Sequence, residues 1–316
     1  MNTVHVALCF SDASGSYYKH ALVTAASVLA NTNSPVTLHL VHDETLGAEA
    51  KNVFEALCAA RGQRLRLHAA GDIPAETERN VLSKLGRGAL FRTMLPKLLE
   101  EEKILYLDCD VVCNLDVAEL WGMDLTGHYL GALPLTGEQA RLHRGRLGLR
   151  GNICINSGVM LMNLLKIRRN IPDYAERLFA IVREHKRPIG DQGAANIFFD
   201  GTDDAFLFLP ECYNFRTGQK DNATLPMGEY SGKIIHFVGR KPWVELSTPG
   251  LWYWKYYAEL FPEDDAFARM ASLEAYEHEY LLSFLLRRDS LRRCVNRLYE
   301  INKNGFWGML KGRIAK

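Results

Sequence analysis

The first seventy residues alternate between short apolar runs and segments with helical periodicity. β-branched and apolar runs predict strands at Val4–Phe10, Val36–His42 and Arg64–Ala69. Between them, the residues at 17–31 and 48–61 place their apolar side chains on one face, as amphipathic helices do. This alternation of strands and helices is typical of a parallel, doubly wound α/β sheet.

The pattern continues more irregularly through the next two hundred residues. A short run at 104–107 is apolar at every position and predicts a strand buried on both faces. A polar, basic segment at 135–152 has no clear periodicity and is interpreted as a mobile lid. The remaining predicted elements are helices at 89–100, 170–186, 192–199 and 267–288, a helical turn at 114–121, and strands at 129–134, 153–163, 207–210 and 233–238.

The composition limits the classes of protein to which the chain can belong. The 316 residues are 47% hydrophobic and 24% charged, and the net charge of +1 gives no indication of nucleic-acid binding. The seven cysteines are scattered, with no spacing typical of zinc, which favours a reducing compartment. With neither a signal-like start nor a membrane-length apolar run, the sequence predicts a cytoplasmic protein. We expect a catalytic domain at 1–262 and a helical, basic region at 263–316.

The strongest candidate for chemistry is the pair of carboxylates that ends the central run. Asp108 and Asp110 flank Cys109, at the sheet edge where open α/β folds bind ligands. Two anions this close repel each other unless a cation lies between them, and a hard divalent metal prefers oxygen ligands. The alternative is a turn in which the aspartates bond local backbone.

Three further polar residues, Asp12, Arg92 and Asn156, each have two interpretations. Asp12 follows the first strand and either meets a nucleotide or caps the next helix. Arg92 either grips phosphate oxygens with its planar fork or is a solvated charge. Asn156 either offers its amide to a sugar hydroxyl or belongs to a ligand-free bulge beside Gly158.

The second half of the chain adds two more candidate stretches. Asp191 either caps the helix that follows it or meets a polar ligand there. His236, at the end of a predicted strand, is either a metal ligand or a structural histidine. Gly239 and Lys241 follow, and could wrap a diphosphate with backbone N–H groups and an ammonium.

The C-terminal segment is basic and aromatic. From Arg287 to the end there are nine Lys or Arg, interleaved with Phe306 and Trp307. This combination favours docking on an anionic membrane surface, at the inner face of the membrane. A solvated tail and an RNA contact are the alternatives.

Four stretches, taken together and in order, resemble the retaining family 8 glycosyltransferases. This family includes bacterial lipopolysaccharide and lipooligosaccharide galactosyl- and glucosyltransferases and the glycogenins. The resemblance covers about residues 3 to 260. The four stretches that carry it are Tyr-Leu-Asp-Cys-Asp (106–110), Ile-Asn-Ser-Gly-Val-Met-Leu-Met-Asn-Leu (155–164), Asp-Gln-Gly-Ala-Ala-Asn (191–196) and His-Phe-Val-Gly-Arg-Lys-Pro-Trp (236–243).

The resemblance implies a GT-A fold, a UDP-hexose donor (UDP-galactose or UDP-glucose), an oligosaccharide or glycolipid acceptor, and manganese or magnesium. It implies that Asp108, Asp110 and His236 hold the metal, and that Gly239 and Lys241 contact the diphosphate. The remaining matches are Arg92 with a residue that reaches the donor sugar, and Asn156, Asp191 and Gln192 with donor-sugar and catalytic positions.

Two features depart from the family or stay open. The first loop is longer than the family's and lacks its uracil-contacting Asn, so Asp12 is matched without a partner. Retention could follow same-face attack or a covalent intermediate on Asp191, and Gln192 looks more like a stabiliser than a base. A catalytically inactive sugar-nucleotide-binding protein and a glycogenin-like self-glycosylating primer are the competing functions.

Overall fold

The computed structural model describes residues 3–81, 86–202, 204–218, 222, 225–239, 241–244 and 247–264. The predicted helix at 267–288 and the basic C-terminal segment lie outside the described residues. Within them, the strands are β1 (Val4–Phe10), β2 (Val36–His42), β3 (Arg64–Ala69), β4 (Lys103–Leu107), β5 (Val111–Cys113), β6 (Leu130–Pro134), β7 (Ile155–Asn163), β8 (Phe206–Phe208), β9 (Phe215–Arg216) and β10 (Ile234–His236).

The helices pack around these strands. They are α1 (Tyr18–Asn31), α2 (Ala48–Ala60), α3 (Ala75–Arg79), α4 (Leu95–Leu98), α5 (Ala118–Gly122), α6 (Gly137–Leu147), α7 (Leu164–Asn170), α8 (Tyr174–Glu184), α9 (Asp191–Phe198) and α10 (Gly250–Leu260). Short 3-10 helices cover Arg87–Met94, Glu211–Asn214 and Met227–Tyr230.

The strands form one large and one small sheet. The large sheet has the order β3-β2-β1-β4-β7-β6-β8, and the small one β5-β10-β9. Strands β3, β2, β1 and β4 are parallel, β7 is antiparallel to both β4 and β6, and β8 is parallel to β6. The predicted, mostly parallel sheet flanked by helices is therefore confirmed.

The central strand β4 is buried on both faces, as its uniform apolar pattern predicts. Ile104 and Tyr106 belong to one hydrophobic core, and Leu105 and Leu107 to the core on the other side of the sheet. All four side chains are at most 1% exposed. Asp108 and Asp110 follow at its carboxyl end, so the position of the pair at the sheet edge is fixed by the strand before it.

Some predicted elements differ from the structure. The helix predicted at 89–100 is instead a 3-10 helix, Arg87–Met94, followed by the four-residue α4. Gly88 explains part of this difference, because a Cβ there would lie 2.7 Å from the backbone N of Ser11, so close packing on the end of β1 fixes the segment. The helix predicted at 170–186 is shorter, Tyr174–Glu184, because α7 ends at Asn170 before it.

The segment interpreted as a mobile lid is regular for most of its length. Residues 137–147 form α6, which ends at Gly148 in the left-handed conformation, with φ of 72°. The last turn of α6 carries Arg144 and Arg146, which suit the negative end of the helix dipole. Among the described residues, no helix has the length and apolar character needed to span a membrane.

Candidate functional site

Two β-strand ends bring the three predicted metal ligands together. Asp108 follows β4, and Asp110 precedes β5, which pairs antiparallel with β10 so that His236 faces Val111. The Nε2 atom of His236 lies 3.7 Å from Asp108 Oδ2 and 3.5 Å from Asp110 Oδ1. One ligand atom from each of the three residues falls within 4.8 Å of the other two.

Gly158 makes room for the histidine. The pairing of β6 with β7 shifts register opposite this residue, between Ala132 and Leu133, so β7 carries the irregularity that the sequence left open. A Cβ built on Gly158 would lie 2.0 Å from Cε1 of His236. The carbonyl of Gly158 also accepts a 2.8 Å hydrogen bond from the backbone N–H of Asp108. Only a residue without a side chain therefore lets His236 approach the carboxylates.

The hydrogen bonds around Asn156 fix how the amides of the site are oriented. The backbone N–H of Gly158 donates to Asn156 Oδ1 at 3.1 Å, so this atom must be the acceptor. Asn156 Oδ1 then also accepts from Asn214 Nδ2 at 2.8 Å. Consequently the oxygen of Asn214 faces Nδ1 of His236, 2.8 Å away, and this ring nitrogen must donate. The other ring nitrogen, Nε2, keeps its lone pair and faces the two carboxylates.

The same set of hydrogen bonds reaches Gln192. Its Oε1 atom accepts from Asn156 Nδ2 and from the backbone N–H of Ser157, both at 3.1 Å. Asn214 and Ser157 were not predicted as site residues from the sequence. Asn214 is buried at the end of the 3-10 helix before β9, in a region without a readable pattern, so no local signal marks it.

The surroundings of the three predicted ligands suit a divalent cation. Asp110 Oδ1 is buried without a hydrogen-bond partner and lies on the His236 side of the carboxylate. Burial lowers the pKa of His236, which favours the neutral, metal-binding imidazole. Burial works against ionisation of Asp110, but its pKa is lowered overall, and the ammonium of Lys241 beside it contributes to this. Two carboxylates and one imidazole are a donor set that manganese and magnesium accept.

Arg92 is a buried bridge and not a solvated charge. Its Nη2 atom lies 2.7 Å from Asp108 Oδ1 and its Nε atom 3.0 Å from Asp191 Oδ2. Its Nη1 atom donates to the carbonyl of Ser157 at 2.8 Å, and the guanidinium lies over the ring of Tyr106. The planar fork thus joins the carboxylate of Asp108 to the start of α9.

Asp191 is the first residue of α9, and Gly190 precedes it at the N-cap position. Its carboxylate is 4% exposed and also accepts a 3.4 Å hydrogen bond from Ser157 Oγ. Burial raises the pKa of Asp191, and the ion pair with Arg92 works in the opposite direction. The side chain therefore faces the site and contacts the same arginine as Asp108.

Lys241 and Gly239 lie in the loop that follows β10. The ammonium of Lys241 donates to Asp110 Oδ2, and it donates to the carbonyl of Phe237 at 2.7 Å. Gly239 adopts a φ of 88°, a conformation that favours glycine. The predicted diphosphate contacts thus adjoin the predicted metal ligands.

Asp12 is separate from this group. Its Oδ1 atom accepts from the backbone N–H groups of Tyr17 at 2.6 Å and Tyr18 at 3.2 Å, at the start of α1. Tyr17 occupies the N-cap position, so Asp12 supports the start of α1 from the preceding loop, which is close to the capping alternative. A nucleotide contact by Asp12 stays a prediction.

A cavity of about 280 Å³ opens over the assembled residues. Its walls include Arg146 of α6, so the segment interpreted as a lid forms one side of the cavity. All of the predicted site residues except Asp12 line it: Arg92, Asp108, Asp110, Asn156, Asp191, Gln192, His236, Gly239 and Lys241. A larger cavity of about 630 Å³ lies beside Arg168 and Tyr174 and contains none of them.

Comparisons with known proteins agree with this arrangement. The family model described as glycosyl transferase family 8 matches residues 6–247, and the chain therefore belongs to this family. The curated glycosyltransferase GlyE of Streptococcus pneumoniae serotype 4 is 25% identical over 260 residues, which are 77% of this chain and 59% of GlyE. A putative glycosyltransferase of Haemophilus influenzae is 25% identical over 153 residues, 48% of this chain and 46% of that protein.

Solved structures share the fold. The galactosyltransferase LgtC, in complex with donor and acceptor sugar analogues, has a TM-score of 0.65 at 21% identity, covering 81% of this chain and 96% of LgtC. The fold is therefore GT-A-like, as the resemblance implies. The chain spans only 24% to 59% of the length of the first four curated relatives.

Proposed function

We propose that this family 8 protein is a retaining glycosyltransferase that moves a hexose from a UDP-sugar to a hydroxyl group of a glycan or glycolipid. One observation carries the proposal: Asp108, Asp110 and His236 converge in a cavity whose walls also hold Arg92 and Lys241. Two anions and a neutral imidazole suit a divalent cation, and the neighbouring cations suit a diphosphate. We propose residues 1–262 as the catalytic domain, which includes the matched range 6–247.

A bound manganese or magnesium ion would supply Lewis-acid stabilisation to the departing diphosphate. Asp108 and Asp110 provide its negative ligands, and Asn214 holds the His236 ring so that Nε2 faces them. Lys241 is next to Asp110 and adds a second positive charge for the phosphate oxygens. Gly239 lets the backbone approach them closely.

The other wall of the cavity would hold the donor sugar. Asn156 and Gln192 present amides that are already oriented by hydrogen bonds, so little side-chain entropy is lost on binding. Asp191 is held by Arg92 at 3.0 Å, and this ion pair reduces its strength as a nucleophile. We therefore favour same-face attack by the acceptor over a covalent intermediate on Asp191.

The donor sugar is proposed as galactose or glucose. LgtC, which shares the fold, is a galactosyltransferase, whereas another curated relative is glucoside xylosyltransferase 1 of Mus musculus. Hydrolysis of UDP-galactose, UDP-glucose and UDP-xylose, each measured with and without manganese, would identify the donor. The donor with the highest manganese-dependent rate would then be used to screen oligosaccharide and glycolipid acceptors.

The central experiment compares the wild type with Asp110→Ala. We expect manganese-dependent donor hydrolysis in the wild type and a loss of at least about 100-fold in the variant, since an essential ligand is removed. Asp124→Ala is a matched control, because Asp124 is an exposed aspartate bonded locally to Thr126. Equal, trace hydrolysis by the wild type and Asp110→Ala would contradict the proposal.

The same assay separates the two competing functions. An inactive sugar-nucleotide-binding protein would bind UDP with manganese but hydrolyse none of the donors. A self-glycosylating primer would gain mass in steps of one hexose when incubated with UDP-glucose alone. We expect hydrolysis without any gain in mass.

A further inference from the structure

A second group of potential metal ligands lies away from the cavity. It consists of His5 on β1, His39 on β2 and Glu101, which lies between α4 and β4. Strands β1, β2 and β4 are parallel; His5 lies near the amino end of β1, Glu101 precedes β4 and His39 is at the middle of β2, whereas Asp108 follows the carboxyl end of β4. The group is therefore separate from the proposed catalytic site at the carboxyl end of β4.

The distances within the group match those around a small divalent cation. His5 Nδ1 is 3.0 Å from His39 Nε2, and each of these atoms is 3.7 Å from Glu101 Oε1. In a triangle with these sides, the point equidistant from the three atoms is about 2.0 Å from each, which equals the usual Zn–N and Zn–O distances. This point lies in the plane of the three atoms, so a cation there is open to a further ligand on either side of the plane.

A third histidine orients the central one. His68 Nε2 on β3 lies 3.1 Å from His39 Nδ1, and the two rings are stacked at a centroid distance of 5.3 Å. If His39 donates through Nδ1, its Nε2 lone pair faces His5 and Glu101. Metal-binding histidines in proteins commonly donate their other ring N–H to such a partner.

Charge and burial favour the same interpretation. Burial lowers the pKa of His39 to about 4, and it also lowers the pKa values of His5 and His68. The Glu101 side chain is only 10% exposed, and its Oε2 atom is buried without a hydrogen-bond partner. Buried carboxylate oxygens rarely lack partners, so this carboxylate has unused acceptor capacity in addition to the Oε1 atom that faces the two histidines.

Among the described residues, Arg66 is the cation that contacts the carboxylate. Its Nη1 atom donates to Glu101 Oε1 at 2.8 Å, and its side chain is half-exposed. A carboxylate oxygen has two lone pairs, so Oε1 can accept the hydrogen bond from Arg66 and bind a cation at the same time. An arginine in this position would orient the metal-binding carboxylate.

We propose that His5, His39 and Glu101 form a second metal site, which binds a divalent transition cation of the zinc type. Two imidazoles and one carboxylate suit zinc better than magnesium or calcium. The cation would join β1, β2 and the segment before β4 at the end of the sheet away from catalysis. Its effect would therefore be on the stability of the fold and not on sugar transfer.

Zinc content tests the proposal. The full chain is freed of metal with a chelator, loaded with zinc chloride, desalted and analysed for zinc per protein. We expect His5→Asn to hold one equivalent less than the wild type, and Asp110→Asn to retain the equivalent that His5→Asn loses. His128→Asn is the matched control, because His128 bonds the carbonyl of Asp204 on the far side of the sheet.

Thermal unfolding tests whether zinc stabilises the fold, and donor hydrolysis tests whether the second site is separate from catalysis. Zinc should raise the thermal unfolding midpoint of the wild type and of His128→Asn, and this rise should be smaller in His5→Asn, in which only the proposed catalytic ligands remain. Manganese-dependent donor hydrolysis should be the same in all three proteins. Equal zinc content in the wild type and His5→Asn would overturn the proposal and identify the group as a histidine ladder that shares protons.

Discussion

Gly158→Ala is the most direct test of how the proposed catalytic site is built. The added methyl would lie 2.0 Å from Cε1 and 2.5 Å from Nδ1 of His236. Non-bonded carbon atoms normally stay about 3.5 Å or more apart, so the ring must move by about 1.5 Å. Metal–ligand distances tolerate only about 0.2 Å, so His236 would cease to be a ligand of any bound metal.

The expected effects follow from this displacement. Overpacking a buried site costs about 1–3 kcal/mol of unfolding free energy, which urea denaturation would measure. Loss of the histidine should weaken manganese binding by at least about 100-fold, which calorimetric titration would measure. Gly131→Ala is the matched control, because its Cβ would meet Leu161 at 3.2 Å in the same sheet but no site residue.

A double-mutant cycle makes this reasoning refutable. In a His236→Ala background the ring is absent, so Gly158→Ala should cost less than about 0.5 kcal/mol of unfolding free energy. If the cost is the same in both backgrounds, the steric contact does not account for the effect. Unchanged manganese affinity in Gly158→Ala would also contradict the steric explanation.

Further predictions concern the network, the buried arginine, pH and the C-terminal segment. Asn214→Ala should weaken manganese binding about 10- to 100-fold by releasing His236, whereas Asn214→Asp, which keeps the acceptor, should lose less. Arg92→Lys cannot bridge two carboxylates and should cost about 3 kcal/mol in urea denaturation. Burial lowers the pKa of His20 to about 4. As the pH decreases from 6.5 to 4, the unfolded chain binds a proton at His20 that the folded chain does not, so the free energy of unfolding should fall over this range. His20→Phe should flatten that part of the plot of stability against pH. Deleting the residues after Arg288 should reduce sedimentation with anionic liposomes and leave donor hydrolysis intact, whereas unchanged sedimentation would exclude the proposed membrane contact.

The regular part of the sheet could be predicted from the sequence. The bounds of β1, β2 and β3 match the predictions, because each strand is a distinct run between helical segments. β4 was predicted as buried on both faces because every position of its apolar run is hydrophobic. In these places local pattern and tertiary environment favour the same conformation.

The prediction was weaker where tertiary contacts decide the outcome. Arg92 was predicted on an α-helix, but close packing of Gly88 on β1 places it in a 3-10 segment. Asn214 had no local signal, because its role arises from the pairing of β9 with β10, and the three-residue β5 was too short to recognise. Side-chain networks of this kind depend on register between distant strands, which a single sequence does not display.

The short step from Asp108 to Asp110 also joins the two sheets. β4 belongs to the seven-stranded sheet, whereas β5 and β10 belong to the three-stranded one, so the proposed ligands come from both. The distances between Asp108 and His236 therefore depend on the angle between the sheets. The affinity for a bound metal would therefore depend on that angle. A substitution that tilts the small sheet should change the metal affinity even if it contacts no ligand.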